Sequence, residues 1–319
     1  VNTTLQLLRS VNLFGSLFKS NAWINHPDKN ALSPILIELD LIFSNKKASA
    51  EKLRQLVAMA SRNFTIANGK QQDIEEFLSL MLRVVELELI ALGLSTAIVE
   101  QFRSRDKIVK KFVGDHGPGV CPNCQHVPPE QYDNFSILRL PMPKRGLSQS
   151  NKCVSKLISN HYSEEIQPEM KCPTCCQHLI NCPRTGKCQP MSYTEQRVMI
   201  KSPDILIVQL LRYDANKKLV AKVYAEDYLI LPNGDKYKLV SMADHIGSKL
   251  SNGHYVLQLR NGDCWSTCDD TQHYLSVEPF SGNNYLFVYK KLETKSNVCL
   301  LYTSPSPRDL STSRMPSSA

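Results

Sequence analysis

The chain contains 319 residues, of which 42% are hydrophobic and 21% are charged, a balance typical of a globular protein with room for two or three sub-domains. No run of about eighteen apolar residues is present, which excludes a hydrophobic membrane-spanning helix. The formal net charge of +8 is spread along the chain without the dense Lys/Arg blocks of nucleic-acid-binding proteins, so we expect neither a nucleic-acid nor a membrane partner.

The first third of the chain is predicted to be helical. Apolar residues recur at helical spacing from Leu5, and a stronger stripe of the same kind runs from Ile74 to Val85. Residues 45–70 are predicted to form another helix that ends near Gly69, because an Asn-Gly dipeptide favours a turn. These stripes indicate helices that pack one apolar face on a shared core.

The second part of the chain has the pattern of a sheet, with short β-like runs bounded by turn residues. The predicted strands are Phe135–Leu140, Ile205–Leu211, Tyr237–Val240, Tyr255–Leu259 and Tyr285–Tyr289. The dipeptide Asn261-Gly262 predicts a two-residue hairpin turn between Tyr255–Arg260 and Cys264–Cys268. The sequence therefore predicts an α+β fold, in which a helical lobe precedes an antiparallel sheet with a cysteine-rich insert.

Two C-x-x-C pairs, Cys121/Cys124 and Cys172/Cys175, mark the insert. Each pair supplies two thiolates from one tight turn, so the two pairs together predict a tetrahedral, structural Zn²⁺ site. This use of cysteine indicates a reducing compartment, the cytosol or the nucleus. Four more residues could substitute as ligands or form a second site, namely Cys176, His178, Cys182 and Cys188.

A histidine and a pair of carboxylates form the candidate catalytic group. His254 precedes a predicted strand, and Asp269 and Asp270 follow it after the hairpin turn. Because such a turn folds the two strands back on each other, we expect His254 and Asp269 to lie side by side. That arrangement is what a general base and its orienting carboxylate require.

The segment that carries this group resembles the histidine box of the ubiquitin-specific proteases. Its matching residues are Gly253, His254, Tyr255, Val256, Trp265, Asp269 and Asp270. Three other segments resemble the QQD motif, the central strand and the closing strand of that family, in the correct order, namely Gln71–Leu78, Leu206–Tyr213 and Tyr285–Tyr289. The two C-x-x-C pairs occupy the place of the family's zinc-binding fingers.

The resemblance implies a papain-like cysteine protease fold with a thumb, a palm and fingers. Residues 1–115 would form the helical thumb, 116–204 the zinc-binding fingers with part of the palm, and 205–292 the β palm that carries the His/Asp hairpin. Residues 293–319 would be a disordered tail. The implied activity is deubiquitination, the hydrolysis of ubiquitin C-terminal isopeptide bonds by a cysteine thiolate through an acyl-enzyme.

The resemblance also assigns roles to individual residues. His254 would deprotonate the nucleophile, Asp269 would orient His254, and Asp270 would assist nearby. The residues implied in binding the ubiquitin tail are Gln71, Asp73, Glu76, Tyr255 and Tyr285. For the acidic residues an ordinary helix start is the alternative interpretation, and for the two tyrosines core packing is an equally good one.

The nucleophile itself is expected outside the sequence given. Val1–Gln6 matches the second half of the family's cysteine motif, which would place the cysteine two residues before Val1 and at a helix N-terminus, where thiolates are stabilised. None of the eleven cysteines present fits that role. We therefore expect the chain as given to be inactive by itself.

The C-terminal tail carries a different resemblance. Cys299–Asp309 and Ser313–Ala319 resemble the in-frame translation of a sequencing-library adapter, so residues from Cys299 onward are excluded from the functional interpretation. Two alternatives to a deubiquitinase stay open on the sequence. One is a non-catalytic ubiquitin-binding module of the same fold. The other, a zinc-ribbon nucleic-acid binder, is disfavoured by the scattered basic residues.

Overall fold

The structure is a computed structural model, and the part of the chain that it describes has several gaps. The described residues are 1–46, 48–67, 73–113, 119–121, 124–143, 152–172, 174, 191–214, 217–249, 252–270, 272–276 and 284–293. The predictions that lie outside these residues concern Gln71, Cys175, Cys176, His178, Cys182, Cys188 and the tail from Cys299.

Helices dominate the first hundred residues. They are α1 (Asn2–Ser10), α2 (Asn21–Ile24), α3 (Lys29–Leu32), α4 (Pro34–Phe43), α5 (Ala50–Ser61), a 3₁₀ helix (Phe64–Ala67), α6 (Ile74–Ala91) and α7 (Ala97–Glu100). One later helix, α8 (Val154–His161), follows the third strand. None of the helices in the described ranges combines the length and the apolarity that crossing a bilayer requires.

Local sequence accounts for the position of α6, the longest of these helices. The Asp73 side chain caps its N-terminus by accepting from the Glu75 backbone N–H at 2.7 Å. The predicted apolar stripe is buried, with Phe77, Leu78 and Met81 within its centre. The helix predicted over residues 45–70 is shorter than expected, because Arg62 adopts a left-handed conformation with φ of 55° and ends α5.

Fourteen strands are described. They are β1 (Ser104–Phe112), β2 (Gln131–Phe135), β3 (Ile137–Pro141), β4 (Glu165–Met170), β5 (Met191–Lys201), β6 (Ile205–Leu211), β7 (Tyr213–Asp214), β8 (Lys217–Lys218), β9 (Tyr228–Ile230), β10 (Lys236–Lys249), β11 (Asn252–Asn261), β12 (Cys264–Asp269), β13 (Gln272–Leu275) and β14 (Asn284–Lys291).

The longer strands form two sheets. A four-stranded sheet has the order β2-β1-β5-β4 and carries the cysteine insert. A larger sheet has the order β13-β12-β11-β10-β14-β6-β3, with β9 added beside β10. Its pairs are antiparallel except for β3 with β6, which run parallel, an exception to the predicted antiparallel sheet.

Both faces of the larger sheet are covered, which explains why β6 is apolar almost throughout. Ile205 and Ile207 face the helical lobe and join its core. Leu206 and Val208 face the opposite side, where α8 packs. The sheet is therefore held between two hydrophobic cores. Helix α1 packs on β10, β11 and β12.

The structure corrects two predicted limits, one of a strand and one of the helical segment. The run Phe135–Leu140 is divided at Ser136, because β2 pairs with β1 in one sheet while β3 pairs with β6 in the other. The predicted helical segment 1–115 also ends too late, since β1 occupies Ser104–Phe112. Strand β1 escapes sequence analysis because its buried positions include polar residues such as Asp106.

Candidate active site

The His/Asp hairpin forms as predicted, one residue out of register at its turn. Strands β11 and β12 pair antiparallel, with Asn261 opposite Cys264, so the two turn residues are Gly262 and Asp263. Gly262 has φ of 64°, the left-handed region that favours glycine. The chain therefore reverses tightly enough to return Asp269 beside His254.

The two side chains make direct contact at the open end of this hairpin. Nε2 of His254 lies 2.5 Å from Oδ1 of Asp269. An ionised carboxylate only accepts hydrogen bonds, so this contact favours the tautomer with the proton on Nε2. The Nδ1 atom of His254 is then left with its lone pair, which is the state that a general base needs.

The start of α1 packs on the same hairpin. Asp270, which follows β12 with φ of 50°, accepts from Nδ2 of Asn2 at 3.2 Å and, through its backbone oxygen, from Nε2 of Gln6 at 3.1 Å. The Thr3 hydroxyl donates to the backbone oxygen of Tyr255 at 3.1 Å. Three polar contacts therefore fix the first turn of α1 next to His254.

A cavity of about 480 Å³ opens between these elements. Its walls come from the starts of α1, α5 and α6 and from the His/Asp hairpin. The lining residues are Val1, Asn2, Thr3, Thr4, Ala50, Glu51, Arg54, Asp73, Ile74, Phe77, Gly253, His254, Tyr255 and Asp270. No cysteine is among these described lining residues.

The two acidic candidates for tail binding have different surroundings. Asp73 lines the cavity and accepts from the Tyr285 hydroxyl. Burial raises the pKa of Asp73, and the hydrogen bond from Tyr285 opposes that rise. Glu76 is exposed on the next turn of the helix and accepts from Nδ2 of Asn63 at 3.2 Å.

The two tyrosine candidates are both core residues. Tyr255 is 7% exposed and Tyr285 is 3% exposed, which supports the core-packing interpretation of each. Tyr255 also lines the cavity, whereas Tyr285 donates a hydrogen bond to Asp73. Sequence analysis missed two residues of this cluster, Tyr213 and His245, whose rings pack against Tyr255 and Tyr285 with centroids 4.7 to 6.4 Å apart. Tyr213 ends the segment that resembles the family's central strand but received no role there, and no local motif marks His245.

A cysteine cluster lies in the loop segments that follow β1 and β4 of the four-stranded sheet. The sulfur atoms of Cys121, Cys124 and Cys172 lie within 4.8 Å of one another. Gln125, with φ of 58°, closes the first knuckle by donating its backbone N–H to the Cys121 oxygen at 2.7 Å. Three converging thiols are the soft donor set that suits zinc. The structure thus brings together three of the four predicted ligands, and Cys175 lies outside the described residues.

Comparison with known proteins gives one family and a set of similar structures. The family model described as ubiquitin carboxyl-terminal hydrolase matches residues 1–302. No curated protein sequence gives a significant match. Many solved structures are similar.

Three of these similar structures are SAGA DUB modules that contain Ubp8, Sgf11, Sus1 and Sgf73. The module bound to monoubiquitin has a TM-score of 0.68 and 18% identity, with 91% of this chain and 66% of that chain covered. The module bound to ubiquitin aldehyde has a TM-score of 0.60 and 18% identity, with 88% of this chain and 67% of that chain covered. A third module has a TM-score of 0.57 and 17% identity, with 88% of this chain and 64% of that chain covered. The chain spans about two thirds of the length of these proteins, and the similarity confirms the papain-like α+β fold.

Proposed function

The chain belongs to the ubiquitin carboxyl-terminal hydrolase family, and we propose that it forms most of the catalytic domain of a deubiquitinating cysteine protease. The observation that carries this proposal is the contact between His254 and Asp269 at the mouth of a cavity built against the start of α1. The reaction would be hydrolysis of the isopeptide bond after the C-terminal residue of ubiquitin.

The nucleophile in this proposal is a cysteine two residues before Val1, in the segment that leads into α1. A thiol there would lie at the N-terminus of α1, which lines the cavity together with His254, and helix N-termini stabilise thiolates. The unprotonated Nδ1 of His254 would accept the thiol proton. Asp269 would hold the Nε2 proton and stabilise the imidazolium that results.

The remaining steps follow from this proton placement. The thiolate attacks the scissile carbonyl carbon, and the tetrahedral intermediate collapses as the C–N bond breaks. The leaving lysine amine takes the proton from His254, which leaves ubiquitin bound to the enzyme as a thioester. Water, deprotonated by His254, then hydrolyses the thioester and restores the thiol. Asp270 assists by holding the first turn of α1 in place.

Ubiquitin is the proposed partner. Two of the structural relatives are described as bound to monoubiquitin or ubiquitin aldehyde. We place the ubiquitin tail in the cavity, beside Asp73 and Tyr255, with Gln71 and Glu76 as further contacts. Tyr285 acts indirectly in this scheme, since it is buried and donates its hydroxyl hydrogen to Asp73.

We assign a structural role to zinc. Cys121, Cys124 and Cys172 would hold the ion with Cys175 as the fourth ligand, and the ion would order the four-stranded sheet without entering the reaction. None of the six cysteines in the described part of the chain forms a disulfide. A reducing compartment, the cytosol or the nucleus, suits such an inventory of thiols.

The test uses a version of the chain extended upstream through the expected cysteine. With a fluorogenic amide of the ubiquitin C-terminus, the extended protein should release the fluorophore, and a variant with alanine at that cysteine should not. Residues 1–319 alone should bind ubiquitin without cleaving the amide. Absence of hydrolysis by a folded, extended protein would refute the protease assignment.

A non-catalytic ubiquitin-binding module is the second candidate. The observation that favours it is the absence of a cysteine among the described residues that line the cavity. The residue that precedes Val1 by two positions separates the two candidates. Any residue there other than cysteine, combined with ubiquitin binding, would favour the binding module.

A further inference from the structure

A second histidine, His245, lies on the strand next to the one that carries His254. His245 is on β10, the strand that pairs with β11, and the register places His245 opposite Tyr255 and Ile246 opposite His254. The His245 side chain is fully buried, and its ring centroid is 4.7 Å from that of Tyr255. His245 is therefore a core residue on the strand next to β11, which carries the candidate base His254.

The ring of His245 is pressed against the backbone of Gly253, the residue before His254. A Cβ atom at position 253 would lie 2.5 Å from Nε2 and 2.6 Å from Cε1 of His245, and 2.6 Å from the Ile246 backbone oxygen. Gly253 does not have the positive φ that would by itself call for glycine. The glycine is required by space, and the imidazole of His245 takes up much of that space.

His245 is itself held in one orientation. Its Nδ1 lies 2.5 Å from the Tyr213 hydroxyl, with the two rings nearly perpendicular at 85°. The Tyr213 hydroxyl and Nδ1 share one hydrogen bond, whose donor depends on the tautomer of the ring. From the other side, Nζ of Lys218 donates to the backbone oxygen of His245 at 2.5 Å.

The arrangement is costly for a histidine with only a packing role. Burial, aided by the charge of Lys218, lowers the pKa of His245 to about 4, so the ring is neutral at pH 7. The neutral ring has one N–H and one lone pair, and Nε2 has no hydrogen-bond partner among the described residues, whichever of the two it carries. An unpaired buried polar group destabilises the folded state. An apolar side chain of similar size would avoid this cost.

We propose that His245, oriented by Tyr213, is a positioning residue that fixes the backbone at Gly253 and thereby aims the His254 imidazole at Asp269. The proposal deepens the proposed function, since it takes His254 as the base of that reaction. The side chain of His254 is 42% exposed, with Asp269 as its hydrogen-bond partner. Its direction therefore depends mainly on the backbone that carries it.

The first test measures the hydrogen-bonded Nε2 proton of His254 in the chain of residues 1–319 labelled with ¹⁵N, and needs no activity. In the wild-type protein this proton should exchange slowly with water. We expect exchange at least tenfold faster in His245→Ala and about threefold faster in Tyr213→Phe, because misdirection of the ring weakens the contact with Asp269.

Tyr237→Phe is the matched control for this measurement. Tyr237 is a fully buried tyrosine on the same strand β10, and its hydroxyl donates to the Pro203 backbone oxygen in the opposite core. Its loss should lower the melting temperature and leave the His254 proton unchanged within twofold. If His245→Ala does not fold, His245→Gln takes its place. Unchanged exchange in Tyr213→Phe and in the folded His245 variant would overturn the proposal.

The second test uses the chain extended upstream through the cysteine. For His245→Ala we expect kcat to fall about 100-fold with KM unchanged within about threefold, because a misplaced base affects the chemical step and not ubiquitin binding. Well below the melting temperature, a purely structural role would leave kcat intact, and that result would overturn the proposal. If the extended wild-type protein is inactive, the proposed function fails, and the proton-exchange test still decides the positioning role.

Discussion

The amide Nδ2 of Asn2 lies 3.2 Å from Oδ1 of Asp270, which joins two residues 268 positions apart in the sequence. Gln6, one turn further along α1, donates to the backbone oxygen of the same aspartate. The first turn of α1 and the end of the His/Asp hairpin are thus locked together. These contacts set the distance between His254 and the residues that precede α1.

Removal of the Asp270 side chain should loosen the helix on the hairpin by removing one of their three polar contacts. In the upstream-extended protein we predict that Asp270→Ala lowers kcat by about tenfold, while the free energy of unfolding changes by less than about 1 kcal/mol because the contact is exposed. Steady-state kinetics and urea titration provide the two measurements. Asp263→Ala, an exposed change in the turn of the same hairpin, should alter neither, and equal losses in both variants would contradict the prediction.

Asp269 should matter through its charge. Asp269→Asn keeps the shape of the side chain and removes the negative charge that stabilises the imidazolium of His254. We predict a loss of kcat between about 10² and 10⁴-fold in the extended protein. Because both side chains are partly exposed, the melting temperature should stay nearly constant. An Asn variant with full activity would show that the carboxylate of Asp269 has no part in the reaction.

Metal binding should depend on the cysteine cluster and not on cysteine in general. We predict one tightly bound zinc ion per chain, and replacement by Co²⁺ should give thiolate-to-cobalt absorption. Cys124→Ser should abolish that signal and lower the melting temperature by roughly 5 °C or more. Cys264, also exposed and free, lies outside the cluster, so Cys264→Ser should retain the metal. Equal retention by both variants would argue against the site.

Asp106 should make the protein less stable as the pH rises. Asp106 is fully buried, and burial raises its pKa from 3.8 to about 6, against the effect of the Tyr162 hydroxyl and of Arg197. Between these two pH values the folded protein binds more protons than the unfolded chain, so the free energy of unfolding falls as the pH rises from about 4 to about 6 and stays lower above that.

The measurement for Asp106 is urea unfolding at a series of pH values. Asp106→Asn cannot titrate, and its stability should lack the part of the wild-type decline that occurs between pH 4 and 6. Asp235 provides a control of opposite sign, because the hydrogen bond from Lys291 lowers its pKa, so its contribution is lost as the pH falls. If the Asp106→Asn curve runs parallel to that of the wild type, Asp106 does not carry the effect.

Glu88 should stabilise the helical lobe by capping another helix. Its two carboxylate oxygens accept from the backbone N–H groups of Ile35 and Leu36, at 3.0 and 2.8 Å. The side chain of Ser33, at the N-cap position of α4, makes no capping hydrogen bond. Glu88→Ala should therefore cost about 1–3 kcal/mol of unfolding free energy. Glu88→Gln should cost less, since one oxygen can still accept.

The matched comparison for Glu88 is Glu51→Ala. Glu51 is an exposed glutamate in the first turn of α5, and within the described part of the chain its partners are side chains of its own helix. Its removal should change the unfolding free energy by no more than about 0.5 kcal/mol. Denaturant titration of both variants measures the difference. Similar losses for both would show that the cap on α4 contributes little.

Sequence patterns were sufficient where the determining interactions are local. The apolar stripe of α6 and its Asp73 cap lie within one helix, and the hairpin that pairs His254 with Asp269 is set by strands joined through two turn residues. Near the first C-x-x-C pair, the backbone N–H of Gln125 donates to the Cys121 oxygen, a contact four positions apart in the sequence. Periodicity and turn chemistry act over a few residues, so these features can be predicted without knowledge of the fold.

Contacts between distant segments were decided only by the tertiary structure. Strand β1, with polar residues at buried positions, gives no apolar alternation and gains its place from the partners beside it. The Glu88 cap and the contact between Asn2 and Asp270 join residues that no short pattern connects. The ring of His245 meets Gly253 because the register of β10 against β11 brings them together. By itself the sequence determined the local helices and the hairpin that carries His254 and Asp269, and global packing decided how these elements are held, because sheet register and helix docking depend on the burial of the whole chain.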